Sequence, residues 1–181
     1  MTEDRPAAIE DRLQRLEDEC EIVQLLTRYG PLVDSGCAQE VAAIWTEDGV
    51  YDNDVIMMSG RDQIRAMVES TPHQSYIAGG CAHFNGPVSV HVDGDKAVAV
   101  THSLMVLHED GAFRINRATA NHWQLRRTGE GWRATVRTGR ILDGDELAWG
   151  LLRAGALGEP PPARPVSQES GGLSSRSSRA R

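Results

Sequence analysis

The hydrophobic period changes once along this chain, and that change constrains the fold class more than any other feature. Ile9, Leu13, Leu16, Cys20, Val23 and Leu26 recur at alternating steps of four and three, with Glu, Asp, Arg and Gln between them. This is the stripe of an amphipathic helix over residues 6–29. After residue 87 the period falls to two, as Val88, Val90 and Val92 alternate with Ser89, His91 and Asp93. Long β segments follow at 96–108, 113–126 and 132–142, and Asp93-Gly94, Glu109-Asp110-Gly111 and Thr128-Gly129-Glu130-Gly131 supply the turns. Strands joined this tightly form an antiparallel meander. Helices first and strands later make an α+β domain, in which the helices cover one face of a curved antiparallel sheet and leave a pocket between.

The segments between these two regimes read as shorter elements. Gly30-Pro31 interrupts or kinks the first helix, because proline lacks an N–H and disfavours helix in the residue before it. Residues 38–45 suggest a second short helix ended by Thr46-Glu47-Asp48-Gly49, and 50–58 a short strand. Gly60-Arg61-Asp62 opens a third helix carrying Ile64, Met67 and Val68, which stops near Thr71-Pro72. Residues 143–157 predict a closing helix with Leu147, Leu151 and Leu152 apolar. One domain therefore spans 1–159. Residues 160–181 form a tail rich in Pro, Ser, Gly and Arg with almost nothing to bury, and such composition predicts disorder.

Charge and cysteine usage narrow the function classes. The chain carries 26 acidic against 19 basic side chains, a net charge of −7. That balance argues against a nucleic-acid partner, which requires a basic face. No apolar run suits a membrane span or a signal-peptide core. The 3 cysteines, Cys20, Cys37 and Cys81, are neither even in number nor spaced as CxxC, and read as reduced thiols in the cytoplasm.

Chemistry concentrates in Tyr29-Gly30-Pro31-Leu32-Val33-Asp34. An acid among apolar neighbours at the end of a helix is costly to bury unless paired. His83, in the small-residue segment Gly79-Gly80-Cys81-Ala82-His83-Phe84-Asn85-Gly86, is the candidate partner. An aspartate bonded to one imidazole nitrogen fixes the tautomer and makes the other nitrogen a base near neutral pH. Spacing alone admits a second reading, a helix cap and an unrelated histidine. The 6 histidines show no HExxH, His-x-His or Cys–His pattern, so no metal is expected. No glycine-rich loop follows a strand and no serine sits in a GxSxG elbow, so no nucleotide cofactor and no serine nucleophile are expected.

A resemblance joins these features. Ile22-Val23-Gln24-Leu25, Tyr29, Asp34 and Ile44-Trp45-Thr46-Glu47-Asp48 resemble the opening of SnoaL-like domains of the nuclear-transport-factor-2-like superfamily. Gly60-Arg61-Asp62-Gln63-Ile64 is similar to the start of that family's third helix. Ala82-His83-Phe84 and the run from Val90 through Asp93-Gly94 to Ala97 resemble its histidine, strand and turn. The likeness covers roughly residues 9–142, and implies a cone of curved sheet around N-terminal helices, the cystatin-like α+β barrel. Within the superfamily the pattern resembles that of scytalone dehydratase, bile-acid dehydratase and hexachlorocyclohexane dehydrochlorinase. It implies His83 as base, Asp34 as its orienting partner and Tyr29 as the group that polarises a substrate oxygen.

The implied activity is a cofactor-free, dehydratase-type lyase acting on a cyclic hydrophobic molecule such as a steroid, terpenoid or polyketide. The alternatives are a double-bond isomerase or polyketide cyclase of the same fold, or a non-catalytic ligand-binding or structural subunit. His102, on a strand face with Val98, Val100, Leu104 and Val106, is either a core group or a pocket residue. Asn121, on a face with Thr119 and Trp123, either contacts ligand or decorates the sheet. Trp45 is core or substrate platform, and Arg140 sits near where bile-acid dehydratases carry an arginine. We take His102, Asn121, Trp45 and Arg140 as candidate substrate-binding residues. The resemblance also implies a homo-oligomer, trimer or dimer, formed through the outer sheet face.

Overall fold

The structure is a computed structural model that describes residues 4–163. Its elements run α1 (Asp4–Thr27), α2 (Tyr29–Asp34), α3 (Ala38–Ala42), β1 (Trp45–Asp52), β2 (Met57–Ser59), α4 (Arg61–Glu69), α5 (Thr71–Gly79), β3 (Cys81–Asn85), β4 (Ser89–Asp93), β5 (Lys96–Glu109), β6 (Ala112–Thr128), β7 (Gly131–Ile141) and α6 (Glu146–Ala156). The strands form one open sheet in the order β2-β1-β7-β6-β5-β3, and β4 pairs with β5 beside β3. Every sequential pair is antiparallel, as the turns predict, but β1 lies parallel to β7. The sheet is therefore mixed at one seam.

Two local expectations change. Residues 45–49 extend as the start of β1 instead of finishing a helix, with an irregularity in the β7 pairing between Trp45 and Val50. Thr71-Pro72 begins a helix instead of stopping one. Ser70 is the N-cap of α5 and accepts from the His73 backbone N–H, while Pro72 sits in the first turn, where its missing donor costs nothing.

The concave face holds the core. Ile22, Leu26, Tyr29, Val33, Val41 and Ile44 from the first three helices and their exit pack on Ala97, Ala99, Trp123, Leu125, Trp132 and Ala134 of the sheet. Small residues on β5 leave room for the three large indoles of Trp45, Trp123 and Trp132, all fully buried. The stripe of α1 is narrower than its sequence suggests. Ile9, Leu13 and Leu16 stay exposed, as does Cys20, and the buried line is Asp18, Ile22, Leu26 and Tyr29. Over its first half α1 turns Asp11, Gln14, Arg15 and Asp18 toward the β4–β5 turn and Arg127, so the apolar stripe read from the sequence faces away from the sheet there.

On the convex face, α6 covers Ala120 with Ala148 and Leu151, and Gly155 lies against Val100 and His122. Pro160 to Ala163 continues past α6, with Pro162 near Gly150. Most of the segment read as a tail, 164–181, lies outside the described residues.

Candidate active site

The break between α1 and α2 places the acid. Arg28 separates α1 from α2 as the N-cap of the second helix, and α2 turns to lie on β3, where a Cβ at Gly30 would collide with the His83 carbonyl oxygen. Only glycine permits this approach. Pro31 is the third residue of α2, where its absent N–H has no helical acceptor to miss. Asn85 ties the strand to the helix end by donating to the Leu26 carbonyl at 3.1 Å.

This packing brings Asp34 onto His83 with both oxygens engaged. Oδ1 accepts from the ring Nδ1–H at 2.6 Å, and Oδ2 accepts from the His83 backbone N–H at 2.7 Å. Burial pushes the Asp34 carboxyl upward, but the hydrogen bonds from His83 outweigh it and hold the pKa below the ordinary value. An ionised Asp34 fixes the proton on Nδ1, so the neutral ring carries its lone pair on Nε2. The Cys81 thiol reaches Asp34 Oδ1 at 3.5 Å. Burial and the Asp34 charge push that thiol up to about 11, so it stays protonated. Asp34, Cys81 and His83 carry metal-ligand atoms within 4.8 Å of one another. Asp34 takes the ring N–H and backbone N–H of His83 and meets the Cys81 thiol, so the three form a hydrogen-bond network that leaves His83 Nε2 free among the described residues.

Beyond His83 lies a cavity of about 310 Å³, within the range of roughly 300–1,000 Å³ used by small-molecule sites. Its wall is apolar at Ile56, Met58, Met67 and Met105 and polar at Tyr29, Tyr51, His73 and Arg117. Tyr29 meets the His83 ring edge-on, with centroids 6.5 Å apart. His73 packs beside it at 5.9 Å and donates Nε2–H to the Val33 carbonyl at 3.3 Å. Burial lowers the His73 pKa, so it buttresses the dyad as a neutral ring.

Three aromatic rings surround a buried cation. The Arg137 guanidinium lies 4.7 Å from the Tyr29 ring, 4.7 Å from Tyr51 and 4.9 Å from Trp123. Burial raises the Tyr29 pKa. For Tyr51 burial acts upward too, but the charges of Arg137 and Arg117 prevail and lower it.

The structure thus brings Asp34, His83 and Tyr29 together, and separates the other candidates from the cavity. Asn121 is fully buried beneath it. Its Nδ2 donates to Ser103 Oγ at 2.9 Å, and its Oδ1 accepts from Arg137 Nε at 3.1 Å and Nη2 at 2.8 Å. It positions Arg137 and does not line the space. Trp45 is fully buried between Tyr29, Tyr51 and Trp123 and is core. His102 is exposed, because its strand face is the convex one, while Thr101, Ser103 and Met105 face inward. Arg140 also points outward, paired with Asp52 at 2.7 Å and Asp54 at 3.6 Å. The inward arginine is Arg137. Trp132 and Ala134 face the core, and strict alternation from them would point Arg140 inward. A register shift opposite Gln124/Leu125 moves the pairing by one, so Arg137 lies across from Trp123.

Comparisons with known proteins agree with this architecture. The family model of the SnoaL-like domain matches residues 14–138. An NTF2-like protein with a cystatin-like fold from Novosphingobium aromaticivorans is 43% identical over 80% of this chain and 94% of its own, with a TM-score of 0.78. A Mycobacterium tuberculosis protein of unknown function is 21% identical over 79% of each chain, with a TM-score of 0.64. A Catenulispora acidiphila protein in complex with S-DNPA is 18% identical over 68% of this chain and 92% of its own, with a TM-score of 0.60. No curated protein matches. The family match, the inward helices and the open curved sheet give one conclusion: this chain belongs to the SnoaL-like domain family, with the NTF2-like, cystatin-like fold.

Proposed function

We propose that this protein is a cofactor-free lyase of the dehydratase type. The observation that carries the reading is the Asp34–His83 pair, doubly hydrogen-bonded and opening on an apolar cavity. His83 Nε2 takes a proton from a carbon of the bound molecule, and Asp34 steadies the imidazolium that forms. The C–H electron pair becomes the new C=C bond and the C–O bond on the neighbouring carbon breaks. The hydroxyl leaves as water, protonated by Tyr29, which regains its proton from His83. Isomerisation of a double bond is the second reading, favoured by Arg137 and Tyr51, which would hold an enolate while the proton returns to another carbon.

The test is a His83→Gln variant assayed against hydroxylated cyclic ketones and polycyclic alcohols. We expect turnover to fall by about 10²–10⁴-fold with the fold intact by circular dichroism. Unchanged turnover would overturn the proposal. Three free thiols suit a reducing compartment such as the cytoplasm, and no helix of the described residues is long and apolar enough to cross a membrane.

We also propose association with a second copy through the convex face. Phe84, Phe113 and Ile115 stand there 62%, 77% and 64% exposed, beyond the reach of α6. Light scattering of an Ile115→Asp variant should show a smaller particle than the parent protein.

A further inference from the structure

We infer that the molecule bound before His83 is an organic acid, an apolar ring system whose carboxylate is held by Arg117 and Arg137. The inference takes its location from the proposed function above, and nothing else.

The charges of the cavity do not balance as those of the surface do. On the convex side and the rims, arginines meet acids: Arg61 with Glu47, Arg126 with Asp48, Arg127 with Asp18 and Asp95, and Arg140 with Asp52 and Asp54. Arg117 and Arg137 on the concave side have no carboxylate partner among the described residues. Asp34 is taken by His83. Asp54, at the rim, accepts from the Ile141 backbone N–H and faces Arg140. The cavity is therefore cationic in a protein whose net charge is −7.

Arg137 shows where the missing anion belongs. Its Nε and Nη2 are satisfied by Asn121, but Nη1 is buried with no acceptor. Contacts with three rings can stabilise the charge itself by about 2 kcal/mol or more when desolvated. They do not accept a hydrogen bond, and a buried donor left unmade costs about 1–3 kcal/mol. Arg137 borders a recess of about 20 Å³ whose wall also includes Tyr51, His83 and Arg117, residues that the larger cavity shares. Asp54 borders it too, with its two oxygens turned to Arg140 and the Ile141 N–H. That volume admits one water-sized group, the size of a carboxylate oxygen. Arg117 is half-buried on β6 opposite Met105, has no hydrogen-bond partner among the described residues, and lines both spaces. Guanidinium forks match a carboxylate's two oxygens. Met58, Met67, Met105 and Ile56 supply the apolar wall of the larger cavity, which fits the ring body of such a ligand.

The experiment is calorimetric titration of the full chain with benzoate, 1-naphthoate and 1-adamantanecarboxylate, each against its primary amide. We expect at least one acid to bind tenfold or more tightly than its amide, and more weakly as salt is added. Arg117→Met should abolish that preference while leaving the amide's affinity unchanged. Arg137→Lys, checked for folding, should weaken the acid more than the amide. Equal affinity of every acid and its amide, no saturable binding of any acid in the millimolar range, or a preference untouched by Arg117→Met would overturn the inference. His83→Gln separates the two readings. It should keep the acid preference, so a preference without any His83-dependent turnover would sink the lyase and leave the anion site. His83-dependent turnover of neutral alcohols with no acid preference would do the reverse.

Discussion

Asp18 and Asp34 are both carboxylates on the N-terminal helices, both turned to the sheet and both held below their ordinary pKa. Asp18 Oδ2 accepts from Arg127 Nη2 at 2.6 Å, and its Oδ1 accepts from Trp132 Nε1 at 3.1 Å and Gln14 Nε2 at 3.2 Å. Arg127 also lies over the Trp132 ring at 4.8 Å. Every donor there holds its proton at any physiological pH, so the cluster can only bind α1 to the end of the sheet. Asp34 has the same charge, but its partner is an imidazole, which can release and retake a proton, and the far nitrogen of that ring opens on a cavity. The difference lies in the partner's chemistry and in the empty space behind it. Burial of the acid does not distinguish them.

The largest way to sharpen this contrast is Asp34→Asn. It keeps the shape but allows the amide to present its N–H₂ to His83 and reverse the tautomer, so turnover should fall by about 10²–10⁴-fold. Steady-state kinetics beside a melting curve would separate this from unfolding. Asp18→Asn is the converse. It strips the charge facing Arg127 and should lower stability by about 2–4 kcal/mol in urea titration, discounted from a fully buried pair because Arg127 is partly solvated. The rate per folded molecule should not change. A loss of rate at full stability would break the comparison.

The smallest effect is on acid stability. Both carboxyls are depressed in the folded state, so each stabilises the fold at pH above its unfolded value, and that contribution is lost as pH falls through the folded value. Wild type should lose stability steeply below about pH 4. The Asp18→Asn protein, already lacking one such group, should show a shallower decline over the same interval, read as melting temperature against pH.

The sequence carried some of this and hid the rest for identifiable reasons. The meander was legible because Asp93-Gly94 and Thr128-Gly129-Glu130-Gly131 announce their turns. The break at Gly30-Pro31 was legible too, although its purpose, the approach to His83, appears only when β3 is present. The closeness of Asp34 and His83 was suggested by family resemblance, since no local pattern joins residues 49 positions apart. His73 escapes a sequence reading because Thr71-Pro72 reads as a helix end, although a serine cap followed by proline equally marks a start. Arg137 escapes a sequence reading because a one-residue irregularity reverses the faces of β7, and nothing in Ala134-Thr135-Val136 announces it. His102 does share a face of β5 with Val98 and Val100, but strand alternation cannot say which face is concave.

The parallel seam has a consequence for how the chain matures. β1, near the beginning, has β7 as its neighbour, and β7 is the last strand to leave the ribosome. A nascent chain that stops short of Gly131 already contains Asp34 and His83, yet two strand margins that should face each other through β7 stand bare. Pairings so distant along the chain form late, and bare margins invite other chains. Shortening this protein from its C-terminal side into β7 would therefore yield a sticky intermediate and not a smaller working pocket.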